Sequence, residues 1–344
     1  MKEILLHIGM HKTGSTSIQA SLKDYSDDIT TNASFRESNH SRAMTTIFSS
    51  KRYNYHVWRR MGLSNKKIDR KRERYLKILE EDITNPKYQR LLISAETISM
   101  LPNKDKRLLV KFFKSRGCEI KVICFLRRPS DYVRSMAQQQ IKGERKDLTY
   151  IDPFYGRRLR TFSRLLPAEN LIVRDFSETI KKYGDIVSGF ASICDLEEER
   201  IESIRVNESL SATATKLLYR LNNLNVATYG SKDRYEARSR LNHILSVAFP
   251  ATVDDKIDGA ILSGLLRPNI EEQIEFILEK FQIDFGGVPQ SSDLEACETY
   301  LSDFSSFNEQ KLFDVLKENN VQVDREVSID EMLVALFNQL LSEN

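Results

Sequence analysis

The most constraining feature is near the start: "LLHIGMHKTGSTSIQ", residues 5–19. An apolar run, Ile4-Leu5-Leu6, leads into a loop bracketed by Gly9 and Gly14, then into residues spaced for a helix, with Ile18, Leu22 and Tyr25 as its apolar stripe. A buried strand that turns tightly into a helix presents free backbone N–H groups and the positive end of the helix dipole at one point. Such a turn holds phosphate. It also implies an α/β fold, because a strand buried on both faces needs helices to cover it.

The rest of the chain supports that fold. "RLLIS" (90–94), "EIKVICFLR" (119–127) and "NLIVRDF" (170–176) read as further buried strands. Ile68, Tyr75, Leu76, Leu79 and Ile83 mark a helical face between two of them, and Leu108, Leu109, Phe112 and Phe113 mark another. The expectation is a parallel sheet flanked by helices. After about residue 178 only helical periodicity remains. "FGGVPQSSD" (285–293) is the expected break between a domain over 1–288 and an acidic helical extension over 289–344.

Charge is uneven. The net charge is +3, yet residues 290–344 carry twelve acidic and three basic side chains, so the body is strongly basic. That suits a body handling anionic ligands, though surface charge also drifts along chains without function. Residues 51–74 concentrate ten basic side chains against two acidic ones, around Tyr53, Tyr55 and Trp58. This segment reads as a basic wall or lid for an anionic substrate, or else as a solvated helix face. Its aromatic residues favour the first reading and suit sugars as well as bases.

No apolar run is long enough to span a bilayer, and Met1-Lys2-Glu3 precedes the first strand without a leader pattern, so a cytoplasmic location is expected. Cys118, Cys124, Cys194 and Cys297 have no metal-type spacing and read as reduced, buried thiols. His7 and His243 fall in apolar patterns and read as core histidines, while His40 and His56 read as loop residues.

The loop departs from an ATP-binding one. The spacing of Gly9 and Gly14 fits G-x-x-x-x-G-K-[ST], but Ser15 stands where the lysine belongs, and "FLRRP" follows the 119–127 strand in place of a magnesium-binding acid. The lysine is inside the loop, at Lys12. "H-K-T-G-S-T-S" resembles the 5′-phosphosulfate loop of the sulfotransferases that use 3′-phosphoadenosine 5′-phosphosulfate (PAPS). "CFLRRPSDYVRSM" (124–136) resembles that family's second motif, in which an arginine two residues before a proline and a serine six residues after it bind the 3′-phosphate.

The resemblance covers roughly residues 4–200. It implies a P-loop-type sulfotransferase core, with Lys12 at the bridging oxygen and sulfonate. Thr13, Gly14, Ser15, Thr16 and Ser17 would form the phosphate cradle, and Arg127 and Ser135 would take the 3′-phosphate. Aligning the end of the 90–94 strand with the family's general base places Glu96 there. The alternative reading of Glu96 is a cap for the following turn, and His11 is the other candidate base.

The implied reaction moves a sulfonate to an acceptor hydroxyl, on a carbohydrate or glycolipid, without a metal and without nucleic acid as partner. The chain departs from the cytosolic members in lacking their glycine-rich C-terminal loop and in carrying Ser94 where they place a lysine. "DPFYGRRLRTFSRLLP" (152–167) sets Tyr155, Arg158 and Phe162 near one helical face, beside Arg157. It reads as packing with a solvent edge, the alternative being contact with an anionic acceptor. A sugar or nucleotide kinase with a degenerate loop and a non-catalytic binding module remain the rival readings.

Overall fold

The computed structural model describes residues 1–204, 209–224, 226, 231–252, 254–287, 293–324 and 326–343. The expected α/β fold is present. Five parallel strands, β1 (Glu3–His7), β2 (Thr30–Asn32), β3 (Arg90–Ser94), β4 (Glu119–Leu126) and β5 (Leu171–Asp175), form one sheet in the order β2-β3-β1-β4-β5. Four of these are the apolar runs read from sequence. β2, only three residues long and mostly polar, is an edge strand that carries no apolar signature of its own.

The chain forms two compact units. The first comprises Met1–Arg128, Phe154–Asn207 and Glu272–Asp284; the second comprises Pro129–Pro153, Glu208–Glu271 and Phe285–Asn344. The break expected at residue 288 falls on 288–292, outside the described residues.

The first unit holds the sheet and the helices α1 (Ser15–Ser21), α2 (Ser41–Phe48), α3 (His56–Arg60), α4 (Asn65–Thr84) and α5 (Asn103–Lys114). In the second unit, α6 spans Pro129–Lys142. The first unit resumes with α7 (Tyr155–Leu165), α8 (Phe176–Tyr183) and α9 (Ile186–Ile193). Alternation along β1 sends Leu5 to one face and Ile4 and Leu6 to the other. Leu5, Leu92, Ile123 and Phe125 form a core with Ile18 of α1, Leu22 at its end, and Val187 and Phe190 of α9.

In the second unit, the C-terminal carbonyls of α6 are received by side chains rather than left bare. Asn222 donates to the Ile141 carbonyl at 2.9 Å, and the buried Arg238 donates to those of Ile141 and Lys142 at 2.8 and 3.1 Å. Ser211 caps the helix Ala212–Asn223, and Ser328 with Glu331 forms a capping box on Ile329–Ser342. The four cysteines are free and buried. No helix among the described residues is long and apolar enough to cross a membrane.

Two readings of side-chain environment are corrected. Trp58 is not a surface stacking platform: it is 1% exposed, and its Nε1–H donates to Thr46 Oγ1 at 3.0 Å. Arg42 and Lys71 sit over its ring, so the indole anchors the basic segment to α2. His243, read as a core histidine, is exposed; His40 lies in the turn before α2 as expected, is 1% exposed, and accepts the Ser94 N–H at 3.2 Å on Nδ1.

Candidate functional site

Strand order creates the site. From β1 the chain builds β2 and β3 on one side, then crosses to β4 and β5 on the other. The crevice beyond the carboxyl end of the strand where the winding reverses is where open α/β sheets bind ligands. Here the glycine loop follows β1, Glu96 follows β3 and Arg127 follows β4.

The loop is held by its own bonds and by its neighbours. Three of its residues are left-handed: Gly9 at φ 50°, Lys12 at φ 69° and Gly14 at φ 71°. A methyl group at Gly9 would fall 2.7 Å from Ser15 Oγ and 3.0 Å from Glu96 Cβ, and one at Gly14 would fall 2.7 Å from Ile186 Cγ2. Only glycine permits that approach in that conformation. Ile186 is in turn fixed by the cap of α9, since Asp185 Oδ1 accepts from the Val187 and Ser188 N–H groups at 2.8 Å each.

The expected cradle residues divide by environment. Thr13 is fully buried, and its hydroxyl donates to the Met10 carbonyl at 2.6 Å. It therefore braces the loop from inside rather than offering its proton to a ligand, because a hydroxyl has one proton to give. Ser15 and Ser17 are buried and Thr16 is exposed.

Arg127 reaches back across the crevice. Its Nη1 donates to the Lys12 carbonyl at 2.8 Å, and its guanidinium lies over the Phe176 ring at 5.2 Å. The Tyr155 hydroxyl donates to the Arg127 carbonyl. The second motif's arginine thus belongs to the wall of the first motif's loop. Ser135 lies in the second unit, in the second turn of α6, half-buried.

Glu96 opens a short 3₁₀ turn (Glu96–Met100) directly after β3 and is half-buried. Burial pushes its carboxyl above the ordinary range, while Arg158, Lys12 and a hydrogen bond from Asn39 pull it back. His11 is driven down to about 4, chiefly by burial and then by Arg158 and Lys12. At neutral pH His11 is therefore a neutral imidazole and a weaker base than the ordinary histidine. Of the two candidate bases, Glu96 has its affinity for a proton raised and His11 has it lowered.

Two contributors were not read from sequence in these roles. Arg158, packed on the same buried face as Tyr155 and Phe162, is 2% exposed and acts electrostatically on both Glu96 and His11. Asn39 lies in a polar stretch with no motif to mark it. Tyr55 also senses the Glu96 charge, which brings the 51–74 segment near that carboxylate. Ser94 is 2% exposed and pairs with His7 Nδ1 at 2.8 Å. Burial takes the His7 ring down to about 3.

Comparison with family models, with curated proteins and with solved structures finds no match to this chain.

Proposed function

We propose that this protein transfers a sulfonate from PAPS to an acceptor hydroxyl. The observation that carries the reading is the meeting of Lys12, Arg127 and Glu96 at the carboxyl ends of β1, β4 and β3. The arrangement offers a backbone cradle, two cations and one half-buried carboxylate. The tight approach at Gly9 suits an anion bound by main-chain N–H groups, because it leaves no room for a side chain there.

The donor supplies an activated sulfonate on a 5′-phosphate. The loop N–H groups, Ser15 and Ser17 would hold the phosphate, and Lys12 would offset charge growing on the bridging oxygen as the S–O bond to the phosphate breaks. Arg127, with its loop-facing Nη1 fixed, would present its other edge to a phosphate, and Ser135 is the partner that the motif spacing supplies. Glu96 would accept the proton of the acceptor hydroxyl as the new S–O bond forms, and its raised proton affinity improves the match. The products are a sulfate ester and 3′-phosphoadenosine 5′-phosphate.

An acidic glycan or glycolipid is the acceptor class this reading favours. Lys66, Lys67, Arg70 and Arg74 of α4 and Arg59 and Arg60 of α3 are exposed, and the segment that carries them holds Tyr55 close to Glu96. Labelled-sulfate transfer to a glycan array tests the whole reading. Transfer to hydroxyl acceptors is expected. Tighter binding of ATP with Mg²⁺ than of 3′-phosphoadenosine 5′-phosphate would favour a kinase, and donor binding with no transfer would favour a binding module.

A further inference from the structure

Arg158 takes part in no step above, yet it is among the largest fully buried side chains. Removing a guanidinium from water is costly unless its surroundings hold it. Its Nη1 donates to Ser99 Oγ at 2.7 Å, and Ser99 Oγ donates to the Glu96 carbonyl at 2.9 Å. Two hydrogen bonds therefore link α7 to the backbone of the residue whose carboxylate faces the loop. From the other side, Lys106 of α5, itself 0% exposed, donates to the carbonyls of Arg157 and Arg158 at 2.6 and 3.2 Å. The first turn of α7 is thus clamped to both α5 and the Glu96 turn.

The groups that act on Glu96 come from three places: Arg158 of α7, Lys12 of the loop after β1, and Asn39 of the segment before α2; Glu96 in turn acts on Tyr55, just before α3. His11 feels the same two cations. Lys12 belongs to the loop itself, whereas Arg158 lies outside it, 2% exposed.

We propose that Arg158 is a positioning residue for Glu96: it braces the turn that carries the carboxylate and supplies the buried positive charge that faces it. This rests on the reading of Glu96 as the base, and it predicts how that base is set rather than what it acts on.

The test uses Arg158→Met, Arg158→Lys and Ser99→Ala in the full chain. The Glu96 carboxyl titration is read by infrared difference against a Glu96→Gln partner in each background, beside the pH profile of sulfonate transfer. Arg158→Met is expected to move the Glu96 titration up by one pH unit or more. The acid limb of kcat/KM should move with it, while affinity for 3′-phosphoadenosine 5′-phosphate stays within threefold. Arg158→Lys should restore most of the shift.

Ser99→Ala keeps the charge and removes the brace. It should leave the titration in place and lower kcat severalfold, and it carries the test if Arg158→Met does not fold. An unmoved Glu96 titration in folded Arg158→Met, or an unaltered kcat in Ser99→Ala, overturns the proposal. A shifted titration in a protein that transfers no sulfonate leaves this inference standing and removes only the proposed reaction.

Discussion

The guanidinium of Arg127 donates to the backbone carbonyl of Lys12, joining two motifs 115 residues apart at 2.8 Å. One side chain therefore serves both the shape of the loop and the charge of the crevice. Arg127→Ala should weaken binding of 3′-phosphoadenosine 5′-phosphate by tenfold or more and abolish any preference over ATP, measured by calorimetry. Arg127→Lys should recover only part of this, because a lysine cannot hold the carbonyl and present a planar fork together.

Glu96→Gln removes proton acceptance while keeping shape. Donor affinity should stay near normal, and turnover should fall by about 10²–10⁴-fold, the usual size of a general-base contribution. Single-turnover kinetics with saturating donor measures it. Near-normal turnover would move the base to His11.

The two loop glycines should fail differently. Gly14→Ala drives a methyl group into Ile186, a core side chain, in a left-handed backbone. It should lower stability by about 1–3 kcal/mol, as read by urea unfolding. Gly9→Ala meets Ser15 and Glu96 instead, so donor binding and turnover should suffer at least as much as stability.

Buried histidines make the fold acid-sensitive. His7 and His40 are held down to about 3 and about 4 from an ordinary 6.5, chiefly by burial. In the unfolded chain they take up protons near pH 6.5, and in the folded one they do not. Their contribution is therefore complete above pH 6.5 and is lost as pH falls from there toward 4, by roughly 3 kcal/mol for His7. Melting temperatures across that window should fall in the wild type and fall less steeply in His7→Gln or His40→Gln.

The basic segment should separate into an anchor and a face. Trp58→Ala should destabilise by about 3–5 kcal/mol, as a buried indole does. Reversing the exposed Lys66, Lys67 and Arg70 to Glu should leave the melting temperature within a few degrees and cut transfer to an acidic acceptor by tenfold or more. Equal transfer by this variant would detach the acceptor class from the segment.

Much of the fold was legible because buried strands announce themselves: Leu5, Leu92 and Phe125 lie in runs that only a covered sheet explains. β2 was not, since Thr30–Asn32 is held by pairing with β3 rather than by its own pattern. The loop and Arg127 were legible as motifs, because backbone approach to an anion demands glycine and a fork demands arginine. Asn39 and Arg158 were not legible in their roles. A polar residue type says nothing of burial, and Arg158 is 62 positions from Glu96. Trp58 misled for the same reason: its neighbours in sequence are bases, while its partner in space is Thr46.

Lys12 remains the one loop residue in a left-handed backbone that is not glycine. That conformation costs an L side chain about 1–2 kcal/mol. Glycine there would be free of strain and neutral, so the position sets robustness against chemistry. Variants chosen only for heat resistance will drift away from lysine at this position, and the loss will be invisible to any assay that watches folding.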